Sequence, residues 1–272
     1  MQLDLVRHLW GVSEAPAVCF PKFRAAGFSI IETPVQWMKP DEESRFREAL
    51  SVNGLRMLPQ CFTGGEGVDA HLQSFREVLA KAATWNPVLV NFHSGQDRWT
   101  QAERVRFYRE ALVIAKDQPF LVAHETHRGR CFYSPWTTLE VLEAVPDLWL
   151  CADFSHWCVV AERLLDGEDA VLERIYPRVR HLHARVGYAE GPQVPDPRAP
   201  EWQPAVEAHE RWWDAIWTAQ QRAGLASTTL TPEFGPPDYL HTLPYTRQPV
   251  ANLWDICHWM AERQARRFAA RG

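Results

Sequence analysis

The sequence predicts a single (β/α)8 TIM barrel spanning residues 1–272, and three observations lead to it. Short apolar runs alternate with longer amphipathic stretches along the whole chain, the pattern of repeated strand-helix units. The short runs lack the in-out alternation of a sheet with one wet face, so they read as parallel strands covered on both sides. The length also allows about 34 residues per unit for eight units, close to the usual size of this architecture.

Strands are expected near residues 3–9, 28–33, 55–61, 87–93, 120–125, 148–153, 179–184 and 227–233. Between them the period becomes helical. Val68, Leu72, Phe75, Leu79 and Ala82 recur at steps of three or four, as do Ala102, Val105, Tyr108, Leu112 and Ala115, so one stripe of each helix faces the barrel. Pro40-Asp41 and Ser134-Pro135 mark helix starts, and Asn53-Gly54 and Ala223-Gly224 mark helix ends. The one long loop expected is Tyr188–Gln203, a proline-rich stretch after the seventh strand. It lies on the face where such barrels carry their sites and reads either as a lid or as a long surface loop.

Composition narrows the function. The 46% hydrophobic content is ample for one core. A formal charge of −5, with both signs mixed along the chain, speaks against a nucleic-acid partner. Met1–Trp10 is interrupted by Asp4, Arg7 and His8, and no run reaches the roughly 18 apolar residues of a membrane span. A soluble, cytoplasmic protein without a membrane partner is expected. Cys19, Cys61, Cys131, Cys151, Cys158 and Cys257 form no C-x-x-C pair and read as small buried hydrophobes in a reducing compartment. The aromatic C-terminal stretch with Trp254 and Trp259 leaves open a contact surface for a homo-oligomer, with helix-to-barrel packing the preferred reading.

Four expected strands finish in a metal-ligand type: Glu125 in VAHETHRGR, Asp153 in LCADFSHW, His183 in RHLHARVGY and Glu233 in TLTPEFGP. Barrel closure points all four at one mouth. Each has an ordinary alternative: Glu125 paired with Arg128 or Arg130, Asp153 capping a helix, Glu233 a solvated loop acid. Four coincidences at four strand ends are a poorer explanation than one shared site. Carboxylates with a single imidazole suit a divalent ion, manganese first, then magnesium, cobalt or zinc. Further histidines, His93, His124, His127, His156 and His181, gather at the same strand ends.

These residues resemble the xylose-isomerase-like barrel family of sugar isomerases and epimerases, inosose dehydratases and endonuclease IV. The anchors are Glu125, the D-x-x-H motif Asp153–His156, the H-x-H motif His181–His183, and Glu233. The resemblance implies that Glu125, Asp153, His183 and Glu233 hold the metal, with His181 the rival of His183, and that His156 and Arg185 touch substrate oxygens. His93 and Gln96 resemble pocket residues after the fourth strand, and Trp10 and Glu32 close the first two strands nearby. The implied activity is isomerisation or epimerisation of a small sugar or keto-polyol through a metal-stabilised enediolate, with Glu125 and Glu233 moving protons. The alternative is a dehydratase of a keto-polyol such as an inosose. More distant are a non-catalytic sugar-binding barrel and an endonuclease IV-like phosphodiesterase, whose D-x-H pair is absent after His183. No glycine-rich phosphate cradle is present, so an unphosphorylated substrate is preferred.

Overall fold

The computed structural model describes residues 1–271. Its eight parallel strands are β1 (Gln2–His8), β2 (Ile30–Pro34), β3 (Arg56–Phe62), β4 (Leu89–His93), β5 (Leu121–Glu125), β6 (Trp149–Ala152), β7 (Val179–His183) and β8 (Ser227–Thr231). They close into a barrel in sequence order, β8 returning to β1 with Gln2 opposite Ser227 and Leu5 opposite Leu230. The expected strands thus all form, most ending within two residues of the expected position.

The helices are α1 (Pro16–Ala25), α2 (Pro40–Val52), α3 (Gly67–Ala83), α4 (Gln101–Ala115), α5 (Pro135–Ala144), α6 (Ser155–Ala161), α7 (Asp169–Ile175), α8 (Gln203–Arg222) and α9 (Leu253–Ala269). The sixth unit therefore carries two short helices in place of one. Thr100 caps α4 with Glu103 in a reciprocal box, and the Ser134 hydroxyl accepts the Thr137 N–H at the start of α5. None of the described helices is long and apolar enough to cross a membrane.

Side-chain alternation along the strands builds the site. Val6, Ile30, Leu58, Leu89, Ala123 and Cys151 form an apolar plug inside the barrel. Two residues further along the same strands, where the side chain returns to the same face, stand His8, Glu32, Gln60, Asn91, Glu125 and Asp153, all but Gln60 fully buried. The outward-facing set, including Ile31, Met57, Val90, Phe92, Leu150, Leu182 and Leu230, packs under the helices. Each such side chain contributes roughly 1.5–3 kcal/mol when fully covered. All six cysteines are buried and free. Trp254 stacks on Phe23 at 5.4 Å between centroids, the packing role preferred for the C-terminal aromatics.

The expectation of one long loop needs correction. Residues 232–252, between β8 and α9, make a second long connection without helix or strand, and it is this segment that reaches over the mouth through Tyr239. The Tyr188–Gln203 stretch ends in a 3-10 turn, Pro200–Trp202, and does not line the mouth. Instead Gln193 ties it to the backbone of Gly235.

Candidate active site and metal centre

A cavity of about 530 Å³ opens at the C-terminal ends of the strands. Its floor is carboxylate and imidazole; Trp10, Phe62 and Tyr239 give it aromatic walls. Trp10 packs edge-on against Tyr239 at 4.9 Å and lies against Gly235, where a β-carbon would fall 2.2 Å from the indole.

Glu125, Asp153, His183 and Glu233 are all buried, and one donor atom from each lies within 4.8 Å of the others. Opposite ligands of a divalent ion with bonds near 2.1 Å stand roughly 4.2 Å apart, so the spacing needs little adjustment. Glu125 Oε1 is buried without a hydrogen-bond partner, while Glu233 Oε2 lies 3.0 Å from His183 Nδ1 and 3.1 Å from Arg185 Nη2. A buried carboxylate oxygen left unpaired, with three further donor atoms beside it, is costly unless a cation satisfies it. The donor set, three carboxylates and an imidazole, therefore fits a divalent ion.

The second strand fixes which nitrogen of His183 is free. Its Nε2 lies 3.0 Å from Glu32 Oε1, and Glu32 also accepts from the Thr231 hydroxyl at 2.6 Å. With Nε2 held by Glu32, Nδ1 is directed at Glu233 Oε2, 3.0 Å away, and Glu125 Oε2, 3.5 Å away. It is the nitrogen that would face a metal once deprotonated, with a carboxylate behind the imidazole as is common for metal ligands. His181 sits one layer deeper, between Thr229 and Thr231 at 2.7 and 3.1 Å, and does not join the quartet.

Arg185 is the cation already in place. Its Nη2 contacts Asp153 Oδ2 and lies 3.1 Å from Glu233 Oε2 and 2.8 Å from His156 Nε2. Ser155 donates to the other oxygen of Asp153 through both its N–H and its hydroxyl. Burial raises the Asp153 pKa to about 6 despite the opposing pull of Arg185. Burial also acts to raise Glu125 and Glu233, but the positive groups prevail. His93 and His183 hold Glu125 below the ordinary carboxylate range, and His183 and Arg185 bring Glu233 to about 2.

His93 reaches the cavity, with Nε2 2.8 Å from Glu125 Oε2 and its ring stacked on Phe62. His156 is wholly buried behind Arg185 and does not line the cavity; burial keeps it neutral. Gln96 also stays outside, its side chain accepting from Arg98 at 2.8 Å. Neither Arg128 nor Arg130 pairs with Glu125; Asn91 and His93 do so instead. Sequence reasoning missed Gln60, Arg130 and Tyr239 as cavity residues, and it gave Glu32 no role in orienting His183. Gln60 could have been found by stepping two residues from Leu58; Tyr239, in an irregular segment, carries no such signal.

No protein-family model and no curated protein matches the sequence. Solved structures do match in shape. The chain is similar to the probable 3-DHS dehydratase AsbF of Bacillus anthracis, at TM-score 0.62 and 14% identity over 96% of this chain and 98% of that one. It is similar to a D-allulose 3-epimerase from Methylomonas sp., at TM-score 0.61 and 15% identity over 98% of both chains. A xylose isomerase-like barrel protein of Mycobacterium smegmatis, in complex with magnesium, aligns at TM-score 0.63 and 12% identity over 96% of this chain and 94% of that one. At such identities the likeness speaks to fold alone: the chain is a closed eight-stranded TIM barrel similar in shape to these proteins.

Proposed function

We propose that the protein is a divalent-metal-dependent isomerase or epimerase of a small sugar or keto-polyol. The observation that carries this reading is the pair Glu125 and Glu233, from strand ends three apart around the barrel, both buried, both lining one cavity and both within reach of Asp153 and His183. A divalent ion held by Glu125, Asp153, His183 and Glu233 would withdraw electron density from a carbonyl and its neighbouring hydroxyl, acidifying the C–H between them. Manganese is the ion to test first, because an oxygen-rich set with one imidazole suits it.

The chain's own residues then move the proton. One glutamate removes it from carbon and the other delivers one from the opposite side. Neighbouring positive groups favour the ionised form of both, so either can take the first proton, and the one that delivers must first acquire a proton from solvent. Arg185, anchored on Asp153 and Glu233, is a fixed donor for negative charge developing on substrate oxygen. His93, supported by Gln60 and Glu125, offers a second polar contact on the β4 side. Return of the proton to the other face of the same carbon is epimerisation; return to the adjacent carbon is aldose-ketose isomerisation. Trp10 and Tyr239 exclude water from one side. Six free thiols suit a reducing compartment, and we place the protein in the cytoplasm.

A dehydratase is the second reading. The same proton loss, followed by departure of a β-hydroxyl, is elimination, and the likeness to the probable 3-DHS dehydratase favours considering it. The test is elemental analysis of protein purified without added metal, then hydrogen-deuterium exchange into ketoses and keto-polyols with manganese present. About one divalent ion per chain with exchange at a substrate carbon supports the reading, and the product distinguishes isomer, epimer and alkene. A protein that binds no added ion and exchanges no substrate proton overturns it.

A further inference from the structure

Charge compensation in the cavity is uneven. Glu125 is met by Asn91 and His93, Arg185 by Asp153 and Glu233, and Glu233 by Arg185 and Gln60. Arg130 is the exception. Its Nη1 donates to two backbone carbonyls, Thr63 at 3.2 Å and Gly95 at 3.3 Å, beyond the ends of β3 and β4. Its other N–H groups make no hydrogen bond, and it forms no ion pair among the described residues, although it lines the cavity.

The carbonyl contacts pin one edge of the guanidinium and leave the rest available to the cavity. Thr63 and Gly95 are themselves locked together, the Gly95 N–H donating to the Thr63 hydroxyl at 3.0 Å, so the mount is rigid. Burial lowers the Arg130 pKa from its ordinary value, the mark of a cation partly withdrawn from water. Arg128, two residues earlier, is engaged elsewhere, its Nη2 donating to the Tyr239 hydroxyl at 3.2 Å and its guanidinium 5.2 Å from that ring. A partly desolvated guanidinium with unused donors is best satisfied by an oxyanion, which accepts two parallel N–H bonds.

We propose that Arg130 anchors a carboxylate or phosphate at the non-reacting end of the substrate. The substrate is then an acidic sugar derivative, with its carbonyl end at Glu125 and Glu233 and its anionic end on the β3–β5 side of the mouth. This rests on the proton-transfer reading for the carbonyl end, while the anion site stands on Arg130 alone.

The test measures binding apart from turnover. D-glucitol, D-gluconate and D-glucitol 6-phosphate share a six-carbon polyol chain and carry no ketone or aldehyde. Calorimetric titration of the manganese-loaded protein is expected to show gluconate or the phosphate binding roughly tenfold to a hundredfold more tightly than glucitol. The tighter of the two identifies the anion. Arg130→Gln removes the margin, and Arg130→Lys keeps part of it. Should Arg130→Gln fail to fold, Arg130→Lys decides, with part of the margin lost. Equal binding of all three probes, or a margin undiminished in the variants, overturns the proposal. Exchange on a neutral ketose without an anion margin would sink this inference and leave the proton-transfer reading standing. An anion margin without exchange on any substrate would do the reverse.

Discussion

Gln193 clasps Gly235 with both ends of its amide: the Gly235 N–H donates to Gln193 Oε1 at 2.7 Å, and Gln193 Nε2 donates to the Gly235 carbonyl at 3.1 Å. The connection after β7 thereby holds the backbone two residues beyond Glu233, so a side chain that never touches the cavity sets the position of one that does. Gln193→Ala strands two buried backbone groups. The expected cost is about 1–3 kcal/mol, read as a fall of several degrees in Tm, with kcat reduced more than KM. Unchanged kcat in a stably folded variant would show that Glu233 is held without the clasp.

Glu233→Gln keeps the shape of the side chain and removes its capacity to carry a proton. Carbon-bound hydrogen exchange is expected to fall roughly 10²–10⁴-fold, the usual worth of a general acid or base. Metal content by elemental analysis should be largely retained. Full exchange in this variant would remove Glu233 from the proton path.

Glu32→Gln tests the support behind His183. Without the charge on Glu32, the Nε2 proton is less firmly fixed and Nδ1 becomes a poorer donor. Metal affinity, measured by competition with a chromogenic chelator, should fall about 10–100-fold. An affinity equal to that of the parent protein would mean that His183 is oriented without the Glu32 charge, by Asn91 and its packing.

His209, on α8, gives a pH prediction away from the cavity. Its Nδ1 donates to the Ala205 carbonyl at 2.9 Å and its Nε2 accepts the Gly187 N–H at 3.2 Å, and burial lowers its pKa from 6.5 to about 4. Between those values the unfolded chain binds the proton and the folded chain does not. The stabilisation is therefore complete above the unfolded value and is lost as pH falls toward the folded one. Its share of the loss between pH 7 and pH 5 is about 2 kcal/mol. Urea titrations should show a shallower acid-side decline for His209→Gln than for the parent protein; parallel declines would contradict the assignment.

The strands were legible because each is an apolar run bounded by helix punctuation, and the side-chain period of two then put Glu125, Asp153 and His183 on the inner face. Glu233 followed from β8 in the same way, although it stands two residues past the last residue of that strand. Distances between such side chains are not written in a linear pattern. Nothing in the H-x-H spacing says that Arg185 lies between Asp153 and Glu233, or that His156 sits behind it. Gln96 follows the fourth strand in sequence, yet its side chain turns aside to Arg98. The misread loops share a cause. Proline content marked Tyr188–Gln203 as irregular but could not say where it runs, and residues 232–252 lack the periodicity by which Tyr239 might have been placed.

The contact between Trp10 and Gly235 has a kinetic consequence. Because the indole fills the space of a missing β-carbon, the segment beyond Glu233 is confined by van der Waals contact on one side and by the Gln193 amide on the other. In the proposed reaction a carboxylate mounted there is preorganised: little conformational entropy would be lost when the substrate arrives, and little reorganisation would be needed as the proton moves. The exposed stretch of residues 241–250 lies further along the same connection and outside the cavity lining, so its sequence can vary while Glu233 keeps its aim.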